Sequence, residues 1–187
     1  MPGSVPELVE SVHRGGFRLL GTGTTEGVRR VATIGVYEAD FASFLAALRA
    51  AEVSMLFDVR QRRGVRGPHY AWANAQRLQA ALADAGIAYE HHKELAPTTE
   101  LRHLQYAEDD RLGVGKRSRR VLAPVYVEGY RREILDRVDL DAVVVRMPED
   151  STTALLCVER DPEACHRSLV AAELAEAHGL DVIHLYP

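Results

Sequence analysis

The chain alternates short apolar runs with segments whose apolar residues recur at helical spacing. Residues 31–35 and 53–59 are apolar nearly throughout, which predicts strands buried on both faces of a parallel sheet. Between them, Asp40 can cap a helix. Four apolar side chains then fall on one helical face, at Phe41, Phe44, Leu45 and Leu48. Strand, helix and strand in this order predict a βαβ unit.

The same alternation continues to the end of the chain. Residues 74–85 read as a helix that stops at Gly86, and a brief strand follows. Residues 97–138 are mainly helical, and 143–145 fit a short strand or a buried loop. Further on, a core strand at 154–158, a helix over about 162–178 and a closing strand at 182–185 complete the pattern.

These elements predict an α/β fold, a three-layer sandwich with a mostly parallel, Rossmann-like sheet and a helical insertion. We expect a single domain over residues 31–187, with the insertion at about 97–138. Residues 1–30 contain scattered glycines and read as a loosely organised N-terminal extension.

Composition narrows the function classes. With 23 basic and 27 acidic side chains the net charge is -4, which excludes a globally basic nucleic-acid coat and a polybasic membrane anchor. Only two of the basic residues are lysines and 21 are arginines. We interpret this ratio mainly as a compositional bias, so the position of individual arginines matters more than their number.

Targeting and redox signals are weak. The N-terminus shows no secretory signal, and no apolar run approaches the roughly 20 residues that span a bilayer. Two cysteines do not form a disulfide framework for 187 residues. We therefore expect a cytoplasmic protein without membrane association and with both thiols free.

Ligands of such folds bind at the carboxyl ends of the parallel strands, and one polar cluster follows the second strand there. Asp58 and Arg60 lead into a loop that ends with Tyr70 and Trp72. Between Val59 and Ala83 the chain has five arginines and no acidic residue. Guanidinium groups bind phosphate or carboxylate and aromatic rings stack on bases, so these residues are candidate ligand contacts. The alternative is a solvated loop whose Trp72 packs under the next helix.

A second polar cluster follows the core strand at 154–158. It contains Cys157, Glu159, Cys165, His166 and Arg167. Asp161 and Pro162 suit a helix start, which would place Cys165 about one turn into the helix, where the helix end and Arg167 favour a thiolate. Cys165 or His166 is thus the candidate for covalent or general acid–base catalysis, and Glu159 is a candidate general base. The alternative is that Cys157 is a small buried apolar residue.

The residue spacing does not fit the motifs of several known catalytic and metal-binding sites. A phosphatase-type Cys-x5-Arg loop fails because Ala171 stands at the arginine position. A Cys-x2-Cys zinc motif fails because seven residues separate Cys157 from Cys165, so we assign no metal ligands and identify no cofactor. Neither a Walker A loop nor a complete Gly-x-Gly-x-x-Gly motif follows a strand. We interpret the basic segment 116–120 as a solvated helix start, with phosphate binding as its alternative.

Motifs at the strand ends resemble those of domain-of-unknown-function family 488. The specific part is Cys157-Val158-Glu159 with Cys165-His166-Arg167-Ser168, and the supporting segments are Thr33-Ile34-Gly35, Asp58-Val59-Arg60 and Val182-Ile183-His184. Residues 94–98 and 116–119 resemble the subgroup that carries a helical insertion. The resemblance, which begins at about Val31, implies a compact α/β domain with a shared site at one rim and supplies no reaction.

The leading hypothesis is a pocket for a phosphorylated or otherwise anionic ligand, a nucleotide or nucleic acid, with catalysis left open. Arg60 and Arg167 would clamp the anion, Asp58 or Glu159 would orient them, and Tyr70, Trp72 and Ser168 would add contacts. In the alternative, Asp58, Arg60, Glu159 and Arg167 form a buried ion network in an accessory or interaction module. A metal or redox site at the two cysteines is a third possibility. The sequence does not predict an oligomeric state.

Overall fold

The computed structural model describes residues 29–115 and 117–187, so the predicted extension lies almost wholly outside the described residues. Five strands form one sheet in the order β3-β2-β4-β1-β5, and every pairing is parallel. The strands are β1 (Arg30–Ile34), β2 (Val53–Asp58), β3 (Ala88–His91), β4 (Thr152–Leu156) and β5 (Asp181–Leu185). The predicted parallel α/β sheet is confirmed.

Helices cover both faces of this sheet. They are α1 (Phe41–Ala50), α2 (Ala75–Asp84), α3 (Thr99–Leu112), α4 (Pro124–Tyr130, continued by one π-turn at Arg131–Leu135), α5 (Leu140–Val145) and α6 (His166–His178). One core cluster joins α1 and α2 to a face of the sheet, and the other joins α4 and α6 to the opposite face. The two clusters make the three-layer sandwich, and α3 and α4 form the helical insertion between β3 and β4.

Local sequence explains where α1 begins. The Asp40 carboxylate accepts a hydrogen bond from the backbone N–H of Ser43 at 2.8 Å, and the Ser43 hydroxyl accepts one from the Asp40 N–H. This reciprocal pair satisfies two amides that the first helical turn leaves without partners. Phe44 and Leu48 then bury completely against the sheet, as their spacing predicted.

The structure corrects two elements. Residues 143–145, expected as a strand or loop, belong to α5, because the Asp139 side chain accepts a hydrogen bond from the Ala142 N–H at 3.0 Å and caps a helix. The last helix does not start at Pro162. A short 3-10 turn (Pro162–Ala164) comes first, and α6 starts at His166 with Cys165 at the capping position.

Gly35 lets the two central strands end close together. A Cβ atom at this position would lie 2.1 Å from the Glu159 carbonyl oxygen, a separation that no real Cβ reaches. The loop after β1 therefore approaches the loop after β4, and the N–H groups of Val36 and Tyr37 both donate to the Val158 carbonyl. This contact brings Tyr37 and Glu159 to the same edge of the sheet. In the described residues, no helix combines the length and the apolar character needed to cross a membrane.

Candidate functional site

A cavity of about 440 Å³ opens at the carboxyl edge of the sheet, beside the ends of β2 and β4. This size suits a small-molecule ligand. Its walls come from the loop after β2, the loop after β4, the start of α6, and the helical insertion. The insertion supplies Arg102, Gln105, Tyr106 and Tyr126, so it forms one side of the site.

The predicted pair Asp58 and Arg60 forms a buried ion pair beneath the cavity. The Arg60 guanidinium donates to both Asp58 carboxylate oxygens at 2.8 and 2.6 Å, and to the Ala73 carbonyl at 2.9 Å. The Tyr89 hydroxyl donates to the same carboxylate at 2.6 Å. Burial, followed by this hydrogen bond to Asp58, raises the pKa of Tyr89, so the phenol stays protonated as a donor. Arg60 contacts the cavity, but its donors are engaged by the protein itself.

Glu159 pairs with an arginine that the sequence did not single out. The Arg119 guanidinium donates to Glu159 Oε1 at 2.9 Å and to Asp109 at 2.9 Å, and all three side chains are buried. The segment 116–120 had been interpreted as a solvated helix start, and for Arg119 this was wrong. Lys116 lies outside the described residues. A carboxylate that is buried after β4 requires a cationic partner. This requirement is the one property of the sequence that could have indicated an arginine such as Arg119 as the partner of Glu159.

Arg167 lies away from the cavity. Its side chain is fully buried, and it donates to the carbonyl oxygens of Glu159 at 2.6 Å and Arg160 at 2.7 Å. It therefore holds the loop after β4 in place. Ser168 likewise turns inward, donating to the Cys165 carbonyl at 2.9 Å, and neither residue lines the cavity.

The two predicted aromatic contacts also have protein partners. The Trp72 ring lies 4.8 Å from the Phe44 ring and 5.8 Å from the Phe41 ring, centroid to centroid, under helix α1. The Tyr70 ring packs edge-on against Tyr37 at 5.4 Å. Neither Tyr70 nor Trp72 lines the cavity, whose aromatic residues are Tyr37, Tyr106 and Tyr126.

The floor of the cavity brings together Cys157, Cys165 and His166. Both sulfur atoms lie 3.9 Å from His166 Nδ1, and Cys157 Sγ lies 3.6 Å from Glu159 Oε2. The other ring nitrogen, Nε2, is 3.0 Å from the Val59 carbonyl oxygen. Because a carbonyl only accepts, Nε2 carries the proton and Nδ1 faces the thiols.

Neighbouring charges and hydrogen bonds shift the pKa values of the two thiols in opposite directions. Burial acts to raise the pKa of Cys165, but the hydrogen bond from Cys157 and the positive charges of Arg167 and His166 outweigh it and lower that pKa. The pKa of Cys157 is raised, first by its hydrogen bond to Cys165 and then by burial. Burial acts to lower the pKa of His166, yet the Cys165 thiolate and the Val59 carbonyl raise it overall.

The fold and this site define a class of protein, a parallel-sheet α/β domain with a thiol–imidazole cluster at the carboxyl edge of its strands. The family described as "Domain of unknown function DUF488" matches residues 40–174, which is more than half of the chain. The chain therefore belongs to the DUF488 family. No curated protein and no solved structure matches the chain.

Proposed function

We propose that the cavity binds a phosphorylated ligand, a nucleotide or the end of a nucleic acid, with its phosphate held by arginines at the rim. One observation carries this proposal. The cavity is lined by one carboxylate, Glu159, and by six arginines, which are Arg60, Arg62, Arg66, Arg102, Arg117 and Arg119. A net positive cavity on a chain with net charge -4 favours an anion at this place.

The proposal assigns the anion to four of these arginines. Arg60 and Arg119 are neutralised by buried carboxylates. Within residues 29–115 and 117–187, none of Arg62, Arg66, Arg102 and Arg117 forms an ion pair with a carboxylate. These four replace the clamp of Arg60 and Arg167 that the sequence suggested. Guanidinium groups suit phosphate because their N–H donors match its oxygens in pairs.

The tyrosine rings that line the cavity could contact the base of a nucleotide whose phosphate is bound by the arginines. The guanidinium of Arg117 lies 5.1 Å from the centroid of the Tyr37 ring, which lines the cavity. Arg102 donates to the Tyr106 hydroxyl at 2.8 Å and to the side-chain oxygen of Gln61. Two of the four rim cations, Arg102 and Arg117, are thus held beside an aromatic ring, an arrangement that suits a phosphate joined to a base.

Catalysis on the bound ligand would take place at the floor. Cys165, His166 and Glu159 all line the cavity, so a ligand held by the rim would have one end against them. We propose these three as the residues that act on it, with Glu159 as the proton acceptor. Asp58 and Arg60 are proposed as positioning residues that fix the loop after β2.

Thermal shift and calorimetry test the binding. Inorganic phosphate, a nucleoside monophosphate and a short single-stranded DNA are the probes, since a ligand that prefers the native state raises its melting temperature. We expect the nucleoside monophosphate to bind, with an affinity that falls as salt rises. Arg66→Gln should weaken binding about tenfold, the loss of one charge-assisted contact, whereas Arg49→Gln, an exposed arginine at the end of α1, should not. Equal effects of both substitutions, or no binding of any probe, would count against the proposal.

The buried ion network of the second hypothesis also has an observation in its favour. Asp58 pairs with Arg60 at the end of β2, and Arg119 joins Asp109 and Glu159 across the cavity wall. Arg167, the fourth member of that hypothesis, donates to backbone carbonyls and not to a carboxylate. The ion pairs are compatible with a binding site, because they hold its walls. If none of the probes binds, the result favours an accessory or interaction protein in which these ion pairs have only a structural role.

A further inference from the structure

Three side chains with metal-ligand chemistry converge on the floor of the cavity. Cys157 Sγ, Cys165 Sγ and His166 Nδ1 all lie within 4.8 Å of one another, and all three residues are buried. The spacing of these residues along the sequence fits no common metal-binding motif, and it leaves a metal site at the cysteines only as a third possibility. The fold instead brings one cysteine from the end of β4 next to a cysteine and a histidine at the start of α6.

The sulfur-to-nitrogen distances are close to those of a tetrahedral zinc centre. With Zn–S near 2.3 Å and Zn–N near 2.05 Å, tetrahedral angles place the sulfur and nitrogen ligands about 3.6 Å apart. Here both sulfur atoms lie 3.9 Å from Nδ1. The two sulfur atoms lie within 4.8 Å of each other, against about 3.8 Å in such a centre. Side-chain rotation must therefore shorten each sulfur-to-nitrogen distance by about 0.3 Å and the sulfur-to-sulfur distance by up to about 1 Å.

The hydrogen bond behind the histidine supports ligation. Metal-bound histidines usually donate their second ring N–H to a carbonyl or carboxylate, which fixes the tautomer and the ring orientation. His166 Nε2 lies 3.0 Å from the Val59 carbonyl, so the ring is oriented with Nδ1 toward the two thiols. The backbone carbonyl thus fixes the ring in the orientation that ligation by Nδ1 requires.

The fourth position of the centre would face the cavity. Cys157, Cys165 and His166 all line it, so an ion bound to them has its remaining side toward the ligand space. Three protein ligands with one open position are typical of catalytic zinc, whereas structural zinc has four. Glu159 Oε2, 3.6 Å from Cys157 Sγ, stands beside that position.

We propose that Cys157, Cys165 and His166 bind one Zn²⁺ ion, with the fourth position open to the cavity. Binding displaces two protons, one from Cys157 and one from the Cys165–His166 pair; both pass to solvent, and the two thiolates balance the charge of the ion. Thiolate and imidazole donors select zinc over magnesium or calcium. With zinc bound, Cys165 and His166 are metal ligands in place of the direct roles proposed for them above, and Glu159 remains as the proton acceptor. The site does not depend on phosphate binding at the rim, so either proposal can fail while the other holds.

Metal loading of the whole chain tests the site. The protein is treated with a chelator under a phosphine reductant, dialysed, and titrated with Zn²⁺ or Co²⁺. We expect one ion per chain by mass spectrometry, and a cobalt spectrum with sulfur-to-metal charge-transfer bands and the intense visible bands of a tetrahedral centre. Absence of stoichiometric metal, or a cobalt spectrum without charge-transfer bands, would overturn the proposal.

Single substitutions assign the ligands. Cys157→Ser, Cys165→Ser and His166→Asn should each weaken Zn²⁺ binding about 100-fold or more, since even an outer-shell partner typically contributes 10–100-fold. His69→Asn, at an exposed histidine, is the matched control and should bind as the unmodified chain does. Unchanged zinc affinity in a folded Cys165→Ser chain would overturn the proposal. Circular dichroism checks folding, and if a variant fails to fold, the cobalt spectrum of the unmodified chain decides.

Discussion

Arg119 donates a hydrogen bond to Glu159 at 2.9 Å, and this buried ion pair joins the helical insertion to the loop after β4. The same guanidinium holds Asp109 on α3. The Arg119 side chain thus holds two walls of the cavity together. We therefore expect its replacement to lower the free energy of unfolding.

Arg119→Gln removes the cation and leaves two buried carboxylates without an opposite charge. We expect the free energy of unfolding, measured in urea, to fall by about 3–5 kcal/mol. Arg120→Gln is the control, because that neighbouring side chain is 75% exposed and its pair with Asp161 should contribute less than about 1 kcal/mol. Similar small losses in both variants would contradict the structural role given to Arg119.

Arg60→Ala separates the ion-network hypothesis from a direct clamp on the ligand. The guanidinium is engaged by Asp58 and by the Ala73 carbonyl, so its removal should cost about 3–5 kcal/mol of stability. Calorimetry on the folded variant at low temperature should show weakened but retained binding of a nucleoside monophosphate, because the loop that carries Arg62 and Arg66 loses an anchor. A variant of normal stability that no longer binds would instead make Arg60 a ligand contact.

Gly35→Ala places a methyl group against backbone. Because the new Cβ would lie 2.1 Å from the Glu159 carbonyl, the loops after β1 and β4 must separate, and we expect a loss of about 3 kcal/mol in denaturant unfolding. Gly64→Ala offers a fair comparison, since its Cβ would meet only Asn74 Oδ1 at 3.9 Å. Equal stability of the two alanine variants would contradict a close approach of these two loops at Gly35.

Trp72 should report folding and not ligand binding. It packs against Phe41 and Phe44 under α1, outside the cavity lining. We therefore expect its fluorescence to change on unfolding and to stay constant when a nucleoside monophosphate is added at saturating concentration. Strong quenching by the ligand would place the base on Trp72, as the sequence first suggested.

The sequence predicted most of the fold because burial on a parallel sheet leaves a local signature. The apolar run at β2 and the spacing of Phe44 and Leu48 in α1 are such signals, and both appear as expected. The run predicted as a strand at 154–158 also forms one, but β4 begins and ends two residues earlier. The start of α6 was displaced, since Asp161 and Pro162 begin a 3-10 turn that ends before Cys165. Local sequence favours both kinds of turn, and tertiary packing decides between them.

The site was harder to predict because its pairs are distant in sequence. Arg119 and Glu159 are 40 residues apart, and no local pattern joins them. Trp72 and Arg167 were chosen for their chemistry, but burial gave their polar or aromatic groups partners within the protein. Cys157, Cys165 and His166 were all singled out, yet their convergence on one point required the register of β4 and α6.

A crystal structure of the chain with a bound nucleoside monophosphate is the most direct test of phosphate binding in the cavity. We expect electron density for the phosphate there, within hydrogen-bond distance of at least two of Arg62, Arg66, Arg102 and Arg117. The base should then lie against Tyr37 or Tyr106. A ligand bound elsewhere on the surface, or an empty cavity in crystals soaked at a concentration that saturates binding in solution, would contradict the proposal.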